Sequence, residues 1–286
     1  MHEIGSITVV GAGTMGRGIA QTAASSGLRV VLVDAVPEAL AQARASIEGI
    51  LGGLVERGKI RESERSAALA LLSTAEGLRD GAARADLVVE AVPESLPLKQ
   101  RIFRELAAAA PAHAILASNT SSLSIGAIAQ ASPDPSRVVG MHFFNPVPVM
   151  PLLEIVRGEA TSKETVDAAL AVGKRLGKEA IVVRDAPGFA TSRLGVLLGL
   201  EAIRMVEQQV ASVEDIDRAM TLGYKHPMGP LRLTDLVGLD VRLAIAEHLH
   251  RELASEAFAV PDLLRRMVAE GKLGKKSGQG FYRWDA

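Results

Sequence analysis

The 286-residue sequence predicts an α/β domain built on a parallel sheet, followed by an all-helical domain. Up to about residue 184, short β-branched or aliphatic runs alternate with longer Ala-rich stretches of helical period, as βαβ units do. Beyond the DAPG at 185–188 the strand-like runs stop and only helical patterns continue. The length agrees, since roughly 150 residues per domain makes two domains the default. The expected domains are therefore 1–184 and 185–286.

The elements follow in order. Residues 7–10, 29–33, 87–91, 114–117, 138–141, 152–156 and 180–183 are apolar runs of strand length. A helix over 15–25 separates the first two. The stretch 35–86 is far longer than an ordinary crossover, and its pattern suggests an inserted helical pair over about 36–70. In the second domain, 189–208, 213–221, 231–253 and 261–270 read as helices. Ser212 with Asp215 resembles a capping box, in which side chains satisfy free amides at a helix start.

Composition narrows the function. Lys+Arg 32 against Asp+Glu 33 leaves a net charge of -1, so there is no field to hold a polyanion, and nucleic acid is not expected as a partner. Zero cysteines exclude a disulfide scaffold and a thiolate nucleophile. No apolar run reaches membrane-helix length, because Arg193 interrupts even the stretch 186–200. The start has neither the basic region nor the cleavage site of a secretion signal, and a cytoplasmic protein is expected.

Gly11, Ala12, Gly13, Thr14, Met15 and Gly16 follow a strand and open a helix, the context that makes GxGxxG a dinucleotide-binding turn. Gly11 permits the turn, Gly13 lets the main chain approach a pyrophosphate, and Gly16 lets helix and strand pack, with the helix N-terminus facing the anion. Gly18 adds further closeness. Asp34 ends the second strand, where a carboxylate can accept ribose hydroxyls and would repel a 2'-phosphate. Such a turn belongs to a Rossmann-type doubly wound sheet, but by itself it does not choose between NAD and FAD.

A second constellation, MHFFNPVPVMPLLE, places His142 at a strand end and Glu154 on the next strand, with three prolines stiffening the return. A carboxylate on one imidazole nitrogen fixes the tautomer and stabilises the imidazolium formed when the other nitrogen takes a proton. A buried histidine satisfied by a carbonyl is the equal alternative on residue types alone. A neighbouring hydride acceptor favours the base.

These motifs, with SNTSS at 118–122, DAPGF at 185–189, HPMGP at 226–230 and GKKSGQGFY at 274–282, resemble the 3-hydroxyacyl-CoA dehydrogenase family, the single-function bacterial members most of all. The resemblance implies a Rossmann domain and a helical domain that forms a homodimer. It also implies oxidation of an (S)-3-hydroxyacyl-CoA by NAD, or the reverse, with His142 and Glu154 as the catalytic pair. By the same resemblance Ser121 touches both acyl group and cofactor, while Asn145, Glu94, Lys99 and Lys276 contact the cofactor. Lys59 falls in the stretch resembling the family's CoA-covering arm, where an ammonium suits phosphates. Lysine is scarce here, nine against 23 arginines.

For Ser121 a helix-capping role is a coexisting alternative, because Thr120, Ser121 and Ser122 precede the apolar pattern 123–128. One position departs. Where the family shows Asn before Arg193, this chain has Ser192, whose hydroxyl reaches less far than an amide; substrate preference is the property this touches. His248 and His250 stand two apart on a helix and do not face each other, so no metal is expected. Two other readings are a dehydrogenase of free hydroxy acids, of sugar-acid or carnitine type, and a non-catalytic NAD-binding protein. The intact His142 and Glu154 speak against the latter.

Overall fold

Eight strands carry the first of two units into which the computed structural model divides, Met1–Asp185 and Ala186–Ala286; residues 3–284 are described. In chain order the first unit comprises β1 (Ser6–Val10), α1 (Thr14–Ser25), β2 (Arg29–Val33), α2 (Pro37–Glu56), α3 (Glu62–Ala70), β3 (Leu72–Ala75), α4 (Leu78–Ala82) and β4 (Leu87–Glu90). It continues with α5 (Leu96–Ala109), β5 (Ile115–Ser118), α6 (Ile125–Ala129), β6 (Val138–Phe143), β7 (Leu152–Arg157), α7 (Lys163–Arg175) and β8 (Glu179–Arg184).

The sheet order is β3-β2-β1-β4-β5-β6-β7-β8. Its first six strands are parallel in the 3-2-1-4-5-6 order of a doubly wound dinucleotide-binding sheet. Two corrections to the sequence reading follow. β3 was not expected; it is a four-residue edge strand with one buried Leu and two exposed polar residues, too short to show a period. β7 runs antiparallel to β6, because the loop between Phe143 and Leu152 is too short for a parallel crossover.

Alternation along the strands sorts the side chains into two layers. Val9, Val89, Ala117, Met141 and Phe143 join Ile19, Ala20 and Ala23 of α1 in one apolar core. The intervening residues Glu90, Ser118 and His142 point to the opposite face, and all three are buried.

The second unit holds α8 (Thr191–Glu207), α9 (Val213–Arg218), α10 (Pro230–Val237), α11 (Leu239–Leu253) and α12 (Asp262–Ala269). Val196, Leu200, Ile203, Ile216, Leu231 and Leu249 centre its own core. The Ser212 hydroxyl accepts the Asp215 amide at 3.1 Å, so half of the expected capping box is present. The expected helix over 231–253 is two helices. Gly238, at φ 102°, ends α10 and starts α11 in a conformation a side chain opposes. The motifs at 226–230 and 274–282 knit around two buried carboxylates. Asp217 accepts the amides of Leu231 (2.8 Å) and Arg232 (2.9 Å) and the Tyr282 hydroxyl (2.8 Å). Asp235, fully excluded from water, accepts the Phe281 and Tyr282 amides at 2.9 Å and the Trp284 indole at 2.8 Å. Among the described residues no helix is long and apolar enough to cross a membrane, and no three metal-ligating side chains converge.

Candidate active site

Strand order reverses between β1 and β4, and in doubly wound sheets ligands bind outside the carboxyl ends of the strands at such a point. A cleft of about 1000 Å³ opens there, lined by Gly11, Gly13, Met15, Asp34, Val92 and Arg101 among others. The glycine turn is shaped as its chemistry requires. Gly11 has φ 104°, and its amide donates to the Val33 carbonyl at 2.7 Å. A Cβ on Gly16 would lie 1.8 Å from the Gly11 carbonyl oxygen, whereas one on Gly13 would meet nothing within 4 Å. The main chain at Gly13 and Thr14 is therefore open to a ligand at the start of α1, where the first amides have no helical partner. Asp34 borders the cleft and braces the turn, accepting the Ala12 amide at 2.8 Å and the Val36 amide at 3.0 Å. A dinucleotide fits these residues: open amides for its pyrophosphate and a carboxylate for ribose hydroxyls.

The turn after β5 is held from below. One oxygen of Glu94 accepts from Thr120 Oγ1 (2.6 Å), the amides of Ser121 (3.0 Å) and Ser122 (3.2 Å), and Ser122 Oγ (3.1 Å). Burial works against the Glu94 charge, but these hydrogen bonds and the Lys99 ammonium outweigh it and hold the carboxyl below the usual carboxylate range. Lys99 is 1% exposed, so it lies beneath the cleft floor rather than on it. Ser121 does not cap the following helix. That role belongs to Ser124, whose hydroxyl accepts the Ala127 amide at 3.1 Å.

His142 and Glu154 are register partners across β6 and β7. Directly opposed residues of an antiparallel pair point to the same face, and Nδ1 of His142 lies 2.7 Å from Glu154 Oε2. His142 is 7% exposed and Glu154 fully buried, with the Phe144 ring 4.4 Å from the imidazole. The strand end is tied to the Ser121 turn, because the Phe143 amide donates to Asn119 Oδ1 at 2.9 Å. The loop carrying Asn145, which is exposed, is pinned by Lys178, whose buried ammonium donates to the Val147 and Met150 carbonyls. Burial pushes the Lys178 pKa down.

The first unit thus carries the glycine turn, Asp34, Glu94 and Ser121 just beyond the carboxyl ends of β1, β2, β4 and β5, and the His142–Glu154 pair on β6 and β7 of the same sheet. Lys59 is exposed on the turn joining α2 to α3. In the second unit Ser192 is in the first turn of α8, and Lys276 pairs with Asp240 at 2.5 Å. Sequence reasoning missed Glu90, Asn119 and Lys178. An isolated strand-end Glu, an Asn within a serine-rich turn and a Lys before a strand carry no local signal of their partners.

Residues 6–186 match the NAD binding domain of 3-hydroxyacyl-CoA dehydrogenase, and residues 188–284 match its C-terminal domain. The chain is 46% identical to a probable 3-hydroxybutyryl-CoA dehydrogenase of Bacillus subtilis, over 99% of its own length and 98% of that protein. It is 42% identical to the human mitochondrial hydroxyacyl-coenzyme A dehydrogenase, over 97% of its length and 90% of the human protein. The crystal structure of (S)-3-hydroxybutyryl-CoA dehydrogenase from Ralstonia eutropha superposes with a TM-score of 0.95 at 41% identity, covering 99% of this chain and all of the other.

Proposed function

Because the chain belongs to the 3-hydroxyacyl-CoA dehydrogenase family and carries its NAD-binding domain, we propose that it interconverts (S)-3-hydroxyacyl-CoA and 3-ketoacyl-CoA, with 3-hydroxybutyryl-CoA as the favoured substrate. The observation that carries this reading is the buried His142–Glu154 pair of β6 and β7, in the same sheet whose β1 leads into the glycine turn. The turn and Asp34 would hold NAD, which when bound takes the hydride from C3 of the alcohol or returns it to the ketone. In the oxidation His142 Nε2 accepts the hydroxyl proton, while Nδ1 stays bonded to Glu154, which stabilises the imidazolium. In the reduction Nε2 gives that proton back. Ser121 orients the acyl oxygen, and Asn145 helps to hold the cofactor.

Ser192, Lys59 and Lys276 are assigned to substrate and cofactor by resemblance alone. If Ser192 holds the 3-oxygen, Ser192→Ala lowers kcat/KM by one hydrogen bond's worth, about threefold to tenfold. We further propose a cytoplasmic homodimer formed through the helical unit. Adjacent helices α8 and α10 turn Leu194, Leu197, Leu233 and Leu236 outward, with Leu194 67% exposed.

An initial-rate panel tests the function, using acetoacetyl-CoA, longer 3-ketoacyl-CoAs and free 3-keto acids with NADH and with NADPH. Turnover of the short acyl-CoA with NADH is expected. Turnover confined to free acids, or none at all, overturns the reading.

A further inference from the structure

A charge cluster lies buried beneath the Ser121 turn, and the proton and hydride transfers do not use it. Glu90 ends β4 wholly excluded from water, and Lys99, in the first turn of α5, is 1% exposed. Glu90 Oε1 accepts from Lys99 Nζ at 2.7 Å and from the Val92 amide at 2.8 Å, and Oε2 accepts from Ser118 Oγ at 2.7 Å. Lys99 Nζ also meets the Val92 carbonyl at 3.3 Å and Glu94 Oε2 at 3.4 Å. One ammonium is thus shared by two carboxylates, unequally, with the fully buried one closer.

Burying ions is costly, and apolar side chains of like volume often fill the same space with no loss of stability. Ions and their hydrogen bonds supply direction, which apolar contacts do not. Here the directed contacts form one line: Ser118 and Val92 hold Glu90, Glu90 holds Lys99, and Lys99 holds one oxygen of Glu94. The other oxygen of Glu94 holds the amides of Ser121 and Ser122. If Lys99 lost its nearer carboxylate, Glu94 would be the one anionic partner left to it among the described residues. Glu94 would then be drawn toward the ammonium and away from the turn.

We propose that Glu90 is a positioning residue, acting through Lys99 and Glu94 to set the place of the Ser121 hydroxyl. The proposal rests on the reading of Ser121 as a residue that touches substrate and cofactor. It assigns the buried strand-end carboxylate to the site's geometry rather than to the stability of the sheet.

The test is a double-mutant cycle of Glu90→Gln with Ser121→Ala, read in kcat/KM for acetoacetyl-CoA, alongside amide hydrogen exchange at Ser121 and Ser122. Residues coupled through one network give non-additive effects. Glu90→Gln is expected to lower kcat/KM about tenfold in the wild-type background and less than about twofold in the Ser121→Ala background. The Ser121 and Ser122 amides should exchange about tenfold faster, with those of β1 and β6 unchanged. Additive effects, or faster exchange spread over the whole sheet, would mean a merely structural glutamate and overturn the proposal. If Glu90→Gln does not fold, Ser118→Ala removes only the Oε2 partner, and about threefold in the same two readouts is then expected. Amide exchange does not depend on turnover. An inactive wild-type enzyme would therefore sink the function while leaving the coupling of Glu90 to the turn separately measured.

Discussion

At residue 142 the decisive feature is which imidazole nitrogen the protein has engaged. Glu154 takes Nδ1 at 2.7 Å, so in the proposed reaction Nε2 is the nitrogen that would exchange the proton with substrate. His142→Gln should therefore keep the fold and NADH binding while lowering kcat by on the order of 10² to 10⁴, the scale of a positioned proton-transfer group. Glu154→Gln should slow turnover less, since the imidazole remains but loses its carboxylate. Near wild-type kcat in His142→Gln would remove the base assignment. Glu94 offers a pH-dependent check. Its carboxyl is held below the ordinary glutamate value of 4.5, so its contribution to stability is complete above about pH 4.5 and is lost as pH falls through the lower native value. Glu94→Gln should accordingly melt below wild type at pH 7, with the gap closing on acidification below pH 4.5. A gap that is constant from pH 7 to pH 3 would contradict the clamp.

Elements place these side chains through pairing and termination. The antiparallel turn from β6 into β7 puts Glu154 opposite His142, and a one-residue slip would send the two to opposite faces. In the helical unit Gly238 decides a comparable question. If 231–253 were one helix, Gly238→Ala would stabilise it by about 1 kcal/mol through helix propensity. The residue instead stands at φ 102°, and an added Cβ would sit 3.0 Å from Asp240 Oδ1 and 3.2 Å from Lys276 Nζ. Gly238→Ala is therefore expected to destabilise by roughly 1–3 kcal/mol, the range for a strained backbone. Urea unfolding gives the sign directly, and a stabilised variant would favour the single helix.

For the whole molecule, two units with separate cores make cofactor linkage a measurable property of the first. A ligand that binds only the folded state stabilises it by about 2.7 kcal/mol at a hundred times its Kd. NADH should raise the unfolding transition of the first unit on that scale. NADPH at equal concentration should raise it far less, since its 2'-phosphate would face the carboxylate of Asp34, which braces the glycine turn. Asp34→Arg should narrow or reverse the difference in a thermal shift series. Equal or greater stabilisation of the wild type by NADPH would discard that role for Asp34.

Features encoded by contiguous residues can be read from the chain directly. The glycine turn with its strand and helix, the alternating runs and the change to helical period near residue 185 all lie within a few residues of their own cause. The HFFNPVPVM segment with Glu154 was legible for the same reason, since His142 and Glu154 stand only 12 positions apart on two strands joined by a stiff return. Features that depend on partners far apart in the chain arise only on folding. β3 is a strand because β2 offers it a ladder, not because LSTA has a period. Asp235 is a core residue because the chain returns 47 positions later to donate to it, and Glu90 is a buried carboxylate because Lys99, Ser118 and Val92 converge on it. A lone carboxylate reads alike on a surface or in a core. Its donors make the difference, and folding is what brings them within hydrogen-bonding distance.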